Sequence, residues 1–329
     1  MKNKTDYRSN PVFAASVAVL CTLLWGTAFP AIKIGYIEFG IESQNIPSQL
    51  MFAGARFCLA GMIVLFWGFV TAKKDGKMPI LHKNDIVPIS VLSLFQTYGQ
   101  YLLLYIGIVN VSGTSSSLYT SAAAFTSVLL SSIVFKGDDL TLKKITGCLI
   151  GFIGIVFMIS GKTAAGGVTL IGDGLVILSN VFGGIGNVIS KKINTGRTPA
   201  MVSGWQLLIG GTALLITGAA LGGSLIFRST ACVLILLYLG SMAGTAFLLW
   251  TMLLFHNPVS KIAVFNLLIP VFGTMWSGIF LGEIIFTLQN GLSLLLVCSG
   301  IFLVNSSSAA NLKSGRLRHR KMSENKSDQ

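Results

Sequence analysis

The sequence predicts an all-α integral membrane protein whose ten transmembrane helices form two inverted five-helix repeats. Three observations carry that expectation. Charged residues make up 11% of the 329-residue chain and hydrophobic ones 53%, whereas a soluble domain carries roughly 25% charge. Charge-free runs close to the roughly 20 residues that cross a bilayer recur along the chain. The stretch Ser260 to Glu283 has a worn copy 145 positions earlier, which sets Phe135, Lys136, Gly137 and Asp138 under Phe280, Leu281, Gly282 and Glu283.

Taken in order, residues 1–11 form a short leader with Lys2, Lys4 and Arg8, expected to be cytoplasmic. Asn10 is a good helix cap and Pro11 suits the first helical position. The first span, 12–36, passes Trp25 and Gly26 without a small-residue cleavage site, so it reads as retained and as its own targeting signal. Further spans are expected at 48–70, 86–108, 112–135, 144–161, 171–191, 199–220, 231–254, 258–280 and 286–305. Residues 86–135 contain no charge, and Gly107, Asn110, Ser112 and Gly113 supply the turn chemistry for a tight outer hairpin there. Residues 306–329 are polar and basic without apolar periodicity, the pattern of a disordered cytoplasmic tail attracted to anionic lipid.

Charge placement tests the spans independently, because Lys and Arg collect in alternate, cytoplasmic loops. Of the 24 Lys and Arg residues, 20 fall in the leader, 71–85, 136–144, 191–198, Lys261 and the tail. The opposite loops hold only Lys162 and Arg228, and Lys33 and Arg56 lie inside spans. Both termini are therefore expected in the cytoplasm of a multi-pass cell-membrane protein. The net charge of +13 is spread over loops, so it reads as topology and not as a nucleic-acid surface. Cys21, Cys58, Cys148, Cys232 and Cys298 all lie in apolar runs without a close pair, so neither a disulfide framework nor a metal site is expected.

Five spans per half is an odd number, so the second repeat (162–305) must enter the membrane from the side opposite to the first (12–161). That inversion puts Asp138 at the inner face and Glu283 at the outer one. With one inserted residue, Gly154, Ile155 and Val156 fall under Gly300, Ile301 and Phe302, and Lys33 answers Lys191. Four pieces then resemble the EamA-type transporters of the drug/metabolite transporter superfamily: Leu24-Trp25-Gly26 with Phe29 and Lys33; Ala55-Arg56-Phe57 with Ala60; Tyr105-Ile106-Gly107; and Pro270 with Phe280-Leu281-Gly282-Glu283. The resemblance covers about residues 12–305 and implies a ten-helix carrier, commonly an exporter of amino acids or other small metabolites. Phe125 stands where the second half has Pro270, so the larger bend is expected in the ninth span.

Arg56 is the most informative residue, being a cation well inside the second span. It reads either as an anchor for a substrate carboxylate or phosphate or as a structural cation that reaches helix-end carbonyls or the outer interface. Lys33, nearer the interface, carries the same two readings. Pro30 and Pro270 each remove a helical donor, freeing the carbonyls of Gly26 and Asn266, and are hinge or gate candidates together with Glu283. Gln96, Gln100, Tyr101, Tyr119, Asn187, Trp205, Gln206 and Trp250 are too polar to face lipid cheaply, and with Trp25 and Asn266 they are expected to line a pathway or to tie helices together. Gly147 with Gly151, Gly240 with Gly244 and Gly278 with Gly282 mark close helix packing.

The reading is a secondary transporter that exports a small metabolite by alternating access between the halves. A multidrug or cation exporter of the same fold is the alternative. A lipid-modifying membrane enzyme would need clustered acid–base groups, whereas His82, His256 and His319 are far apart. The expected partners are a small-molecule substrate and the bilayer, with no cofactor and with monomer and homodimer both open. The span interiors hold no Asp or Glu to carry a proton through the membrane centre, which favours facilitated export.

Overall fold

Asn10 and Pro11 start the first helix as predicted. In this computed structural model, which describes residues 8, 10–75, 77–108, 119–160, 170–281, 288 and 291–306, Asn10 Oδ1 accepts from the Val12 N–H at 2.9 Å and the Phe13 N–H at 3.5 Å. Helix α1 (Pro11–Phe39) runs through Pro30 and ends at Gly40, whose φ of 64° lies in the left-handed region open to glycine. The elements that follow are α2 (Ile46–Asp75), α3 (Lys83–Ser93), a π turn (Leu94–Tyr98), α4 (Gly99–Ile108), α5 (Ser121–Val134), α6 (Leu142–Ser160) and α7 (Leu170–Lys192). Then come α8 (Pro199–Ala220), α9 (Thr230–His256), α10 (Val259–Ala263), a 3-10 turn (Val264–Leu268) and α11 (Ile269–Leu281), followed by α12 (Gly291–Ser306). Among the described residues there is no strand.

Every predicted span overlaps one of these helices. Six stretches are long and apolar enough to cross a membrane: Pro11–Phe39, Ile46–Ala72, Gly172–Lys192, Pro199–Ala220, Thr230–His256 and Val259–Phe280; Ser121–Val134 and Gly291–Ser306 are shorter apolar helices. The expected outer hairpin at Gly107–Gly113, the junction with Gly282 and Glu283, and the tail beyond Ser306 lie outside the described residues, apart from Gly107 and Ile108.

Two changes of winding depart from a plain α-helical reading. The third span is not one α-helix, because Leu94–Tyr98 takes a π turn between α3 and α4. In the ninth span the chain tightens to 3-10 geometry just before Pro270, and this corrects the expectation of a free carbonyl. Proline has no N–H for the carbonyl of Asn266, so the tighter turn brings the Ile269 N–H to it instead. Helix α5, with Phe125 at the matching position, keeps α winding from Ser121 to Val134.

Between lipid-embedded helices there is no hydrophobic drive to associate, so close van der Waals approach through small residues takes its place. The contact of α2 with α8 is built this way. A Cβ on Gly54 would stand 2.6 Å from the Leu215 backbone nitrogen, one on Gly61 2.8 Å from the Gly204 oxygen, and one on Gly211 2.6 Å from the Cys58 nitrogen. Helix α6 meets α12 similarly, with Gly147 against the Gly300 carbonyl, and α9 meets α2 at Gly240 and Gly244. The sequence-marked glycines Gly147, Gly240 and Gly244 thus serve packing between helices.

Polar contacts join the loops at each end of the bundle. At one end Arg197 Nε lies 2.8 Å from Asp85 Oδ1, and Lys191 Nζ donates to the carbonyls of Phe255 and Asn257 at 3.1 and 3.0 Å. Asn257 Nδ2 donates in turn to the Arg8 carbonyl. At the other end the Ser224 N–H donates to Ser48 Oγ at 3.0 Å, and Ser229 Oγ donates to Glu38.

Gly211→Ala forces its Cβ against α2 backbone, which cannot move aside as a side chain would. It is expected to cost about 1–3 kcal/mol, seen as a lower thermal midpoint in detergent. Gly174→Ala in α7, with nothing within 4 Å of the new carbon, is the matched control and should be neutral or slightly stabilising.

Candidate functional site

Helix α2 carries Arg56 into the bundle, where it is 3% exposed. Its Cζ stands 4.5 Å from the Phe57 ring centroid and 5.5 Å from that of Tyr101. Nε has no hydrogen-bond partner. Among the described residues the ion pairs are Lys144–Asp138 and Arg197–Asp85, so no carboxylate answers Arg56. Cation–π contacts are worth about 2 kcal/mol when desolvated, against several kcal/mol for burying an ion. The desolvation penalty is the larger, and an anion beside the guanidinium would offset it.

An aromatic row leads away from that cation. Phe57 meets Tyr101 at 4.5 Å and Phe247 at 6.3 Å between centroids. Trp25 on α1 then stands 5.6 Å from Phe247 and 5.0 Å from Trp250, both edge-on. Rings from α1, α2, α4 and α9 therefore share one interior strip.

At the end of the row lies a buried amide hub. Asn187 Oδ1 accepts from the Trp250 indole N–H at 3.0 Å and from Gln96 Nε2 at 3.3 Å, while Asn187 Nδ2 donates to Ser127 Oγ at 3.1 Å. Asn187 thereby links the π turn, α5, α7 and α9. Two glycines of α7 permit the approach, since a Cβ on Gly186 would stand 2.7 Å from Gln96 Cβ and one on Gly183 2.9 Å from the Gln100 amide. The neighbouring residue of the π turn faces the other way: Thr97 Oγ1 donates to Gln206 Oε1 on α8 at 2.6 Å, and Ser93 Oγ donates to the Gln206 carbonyl.

The structure thus gathers Trp25, Arg56, Gln96, Gln100, Tyr101, Asn187, Gln206 and Trp250 into the interior. It places the other candidates elsewhere. Trp205 donates its indole N–H to the Pro79 carbonyl at 2.9 Å, beside a loop. Tyr119 donates to Asp173 Oδ1 at 2.8 Å. Asn266 is buried in the 3-10 turn with Oδ1 unpartnered. Pro30 and Pro270 are buried, and Lys33 is exposed on α1. Glu283 lies outside the described residues.

Sequence reasoning missed Phe57, Phe247, Thr97 and Ser127. Thr97 lies in the polar run Gln96 to Tyr101, but its partner Gln206 is 109 positions away, which no local pattern shows. The sequence marks Asp138 as the inner-face counterpart of Glu283 but shows none of its contacts. Asp138 is buried, takes Lys144 Nζ at 2.7 Å, and accepts from both the N–H and the hydroxyl of Ser260 at the start of α10. Two grooves of about 310 and 450 Å³ on the α6–α12 face are lined by residues such as Ile153, Phe157, Leu295 and Phe302. They are apolar and surface-facing, and they lack the chemistry of the interior strip.

Residues 12–160 and 170–306 match the EamA-like transporter family. The chain is 27% identical over 301 residues to a protein of Escherichia coli K12 named "Probable amino-acid metabolite efflux pump", spanning 87% of this chain and 93% of that one. It is 26% identical over 309 residues to the uncharacterized transporter YvbV of Bacillus subtilis 168, covering 90% and 92% of the two chains. A crystal structure of a protein 17% identical superposes with a TM-score of 0.72 over 88% of this chain and 97% of the other, which shows a shared fold.

Asn187→Leu strands the Trp250 N–H and the Gln96 amide together, at about 1–3 kcal/mol for each buried donor left unpaired. The expected result is a clear fall in the thermal midpoint with a shifted tryptophan emission. Asn180→Leu, which removes bonds only to Val176 and Ser179 on its own helix, should cost less.

Proposed function

The chain belongs to the EamA-like transporter family, and from that premise we propose that it is a secondary carrier exporting a small carboxylate-bearing metabolite, such as an amino acid, by alternating access. The observation that carries this reading is Arg56, a buried guanidinium with an unpartnered Nε and no carboxylate among the described residues. A cargo carboxylate fits its planar fork of donors. The same cation opposes the rival reading, a cation exporter, because a like charge at the binding strip repels such cargo. The name of the Escherichia coli relative supports amino acids as the first class to test.

In this reading ten crossings form two inverted halves, 12–161 and 162–305, with the cargo between them. The packing supports it. Exchanging the halves turns the contact of α1 with α9 into that of α7 with α4, α1 with α11 into α7 with α5, and α2 with α9 into α8 with α3 and the π turn. The pair α2–α8 maps onto itself, as two halves around a pseudo-two-fold axis require. Both termini lie in the cytoplasm, in keeping with the distribution of Lys and Arg. Transport is facilitated, since the interior strip just described contains no Asp or Glu to take up a coupling proton.

The test is efflux of labelled amino acids and simple carboxylates from proteoliposomes. Arg56→Gln should lower kcat/KM about 10- to 100-fold, the loss expected for a charge-assisted hydrogen bond. Arg56→Lys should recover little, because an ammonium cannot reproduce the fork. Wild-type rates in both variants, or no flux of any carboxylate through the native protein, would remove the reading.

A further inference from the structure

The geometry points to Gln96 Oε1 as a binding atom for an N–H of the cargo's protonated amine, a second subsite apart from Arg56. This rests on the carboxylate reading above and adds the atom that reads the cargo's nitrogen.

The chain of donors fixes which atom of Gln96 is free. The Trp250 indole nitrogen can only donate, so the Asn187 atom 3.0 Å from it must be the carbonyl oxygen. The opposite atom of Asn187 is then the amide nitrogen. It donates to Ser127 Oγ, whose own proton goes to the Ala123 carbonyl at 2.7 Å. Since Asn187 presents its oxygen toward Gln96 as well, the Gln96 atom 3.3 Å away must be the NH2 group. Reversing the Gln96 amide would set oxygen against oxygen. Its carbonyl oxygen is therefore held facing the other way, on a residue only 5% exposed, and it has no donor.

A buried acceptor locked in place without a donor is incomplete until something supplies one. Gly186 backs the side chain so closely, 2.7 Å from Cβ to the position a Cβ would take, that the amide has little room to turn away. Trp250 shares the Asn187 oxygen with Gln96, and Trp25 stands 5.0 Å beyond it, so two indoles border the hub, and aromatic rings there favour a cationic donor over a neutral one. The Asn187 oxygen already accepts twice, which leaves Gln96 as the hub's amide able to accept an incoming N–H.

The experiment is isothermal titration of the detergent-purified full chain with four six-carbon probes: hexanoate, norleucine, 6-aminohexanoate and lysine. At least one amine should bind about tenfold more tightly than hexanoate, the scale of one good hydrogen bond. Gln96→Met removes the acceptor at nearly constant size and should bring that amine down to the hexanoate value while hexanoate itself binds as before. Gln96→Glu, protonated on the oxygen that faces Asn187 Oδ1, keeps the free acceptor and should retain the preference, which a purely structural role for Gln96 would not separate from Gln96→Met. Thermal unfolding confirms that both variants are folded.

An amine preference that survives Gln96→Met overturns the assignment, as does equal binding of all four probes by the native protein. Arg56→Gln provides the separate readout: it should weaken all four probes together. If the amine preference depends on Gln96 while Arg56→Gln changes nothing, the amine subsite stands and the carboxylate anchor falls. Binding of none of the four counts against both.

Discussion

The close approach of α2 to α8 is the contact on which the interior depends. Glycines do this because a bundle in lipid gains nothing by hiding apolar surface from hydrocarbon. On α8 two consecutive glycines serve different neighbours: Gly211 admits the backbone of α2 at Cys58, while Gly210 admits Thr97 of the π turn, 2.6 Å from where its Cβ would lie. Helix α8 is thus a thin wall with α2 on one side and the π turn on the other. Arg56 and Gln206 hold their places because those three elements cannot drift apart.

Three cations that the sequence places in or at the ends of spans find three different environments, and the comparison separates the functional candidate from the structural ones. Lys33 is exposed on α1, where a long stem carries its charge toward water. Lys191, its counterpart under the repeat, gives its ammonium protons to two carbonyls at the α9–α10 junction. Arg56 has aromatic faces and an unpartnered Nε. Lys33 is exposed and Lys191 is satisfied by backbone, whereas Arg56 is buried with an Nε that has no partner.

Hydropathy and capping chemistry made most helix positions legible. Asn10 and Pro11 mark the start of α1, and Thr198 with Pro199 does the same for α8. The polar residues of the site were legible as a class, because amides in an apolar run must face inward. Their partners were not. The bond from Trp250 to Asn187 joins positions 63 apart and that from Gln96 to Asn187 positions 91 apart, and no local periodicity encodes such pairs. The 3-10 turn was half legible: Pro270 announced a defect, but its resolution by a tighter turn at Asn266 follows only from where the neighbouring donors lie. The tie from Asp138 to Ser260 spans 122 positions, so no local pattern marks it.

Two identical halves meeting at a two-fold axis would offer a cargo the same groups twice, and it could be held equally well turned end for end. In the proposed repeat the π turn makes the two halves unlike. Leu94–Tyr98 winds wide in the first half, while its counterpart α9 runs as α-helix from Thr230 to His256. Within that turn Gln96 reaches Asn187 on α7 and Thr97 reaches Gln206 on α8. Walls unlike in this way would present a cargo between the proposed halves with different groups at its two ends.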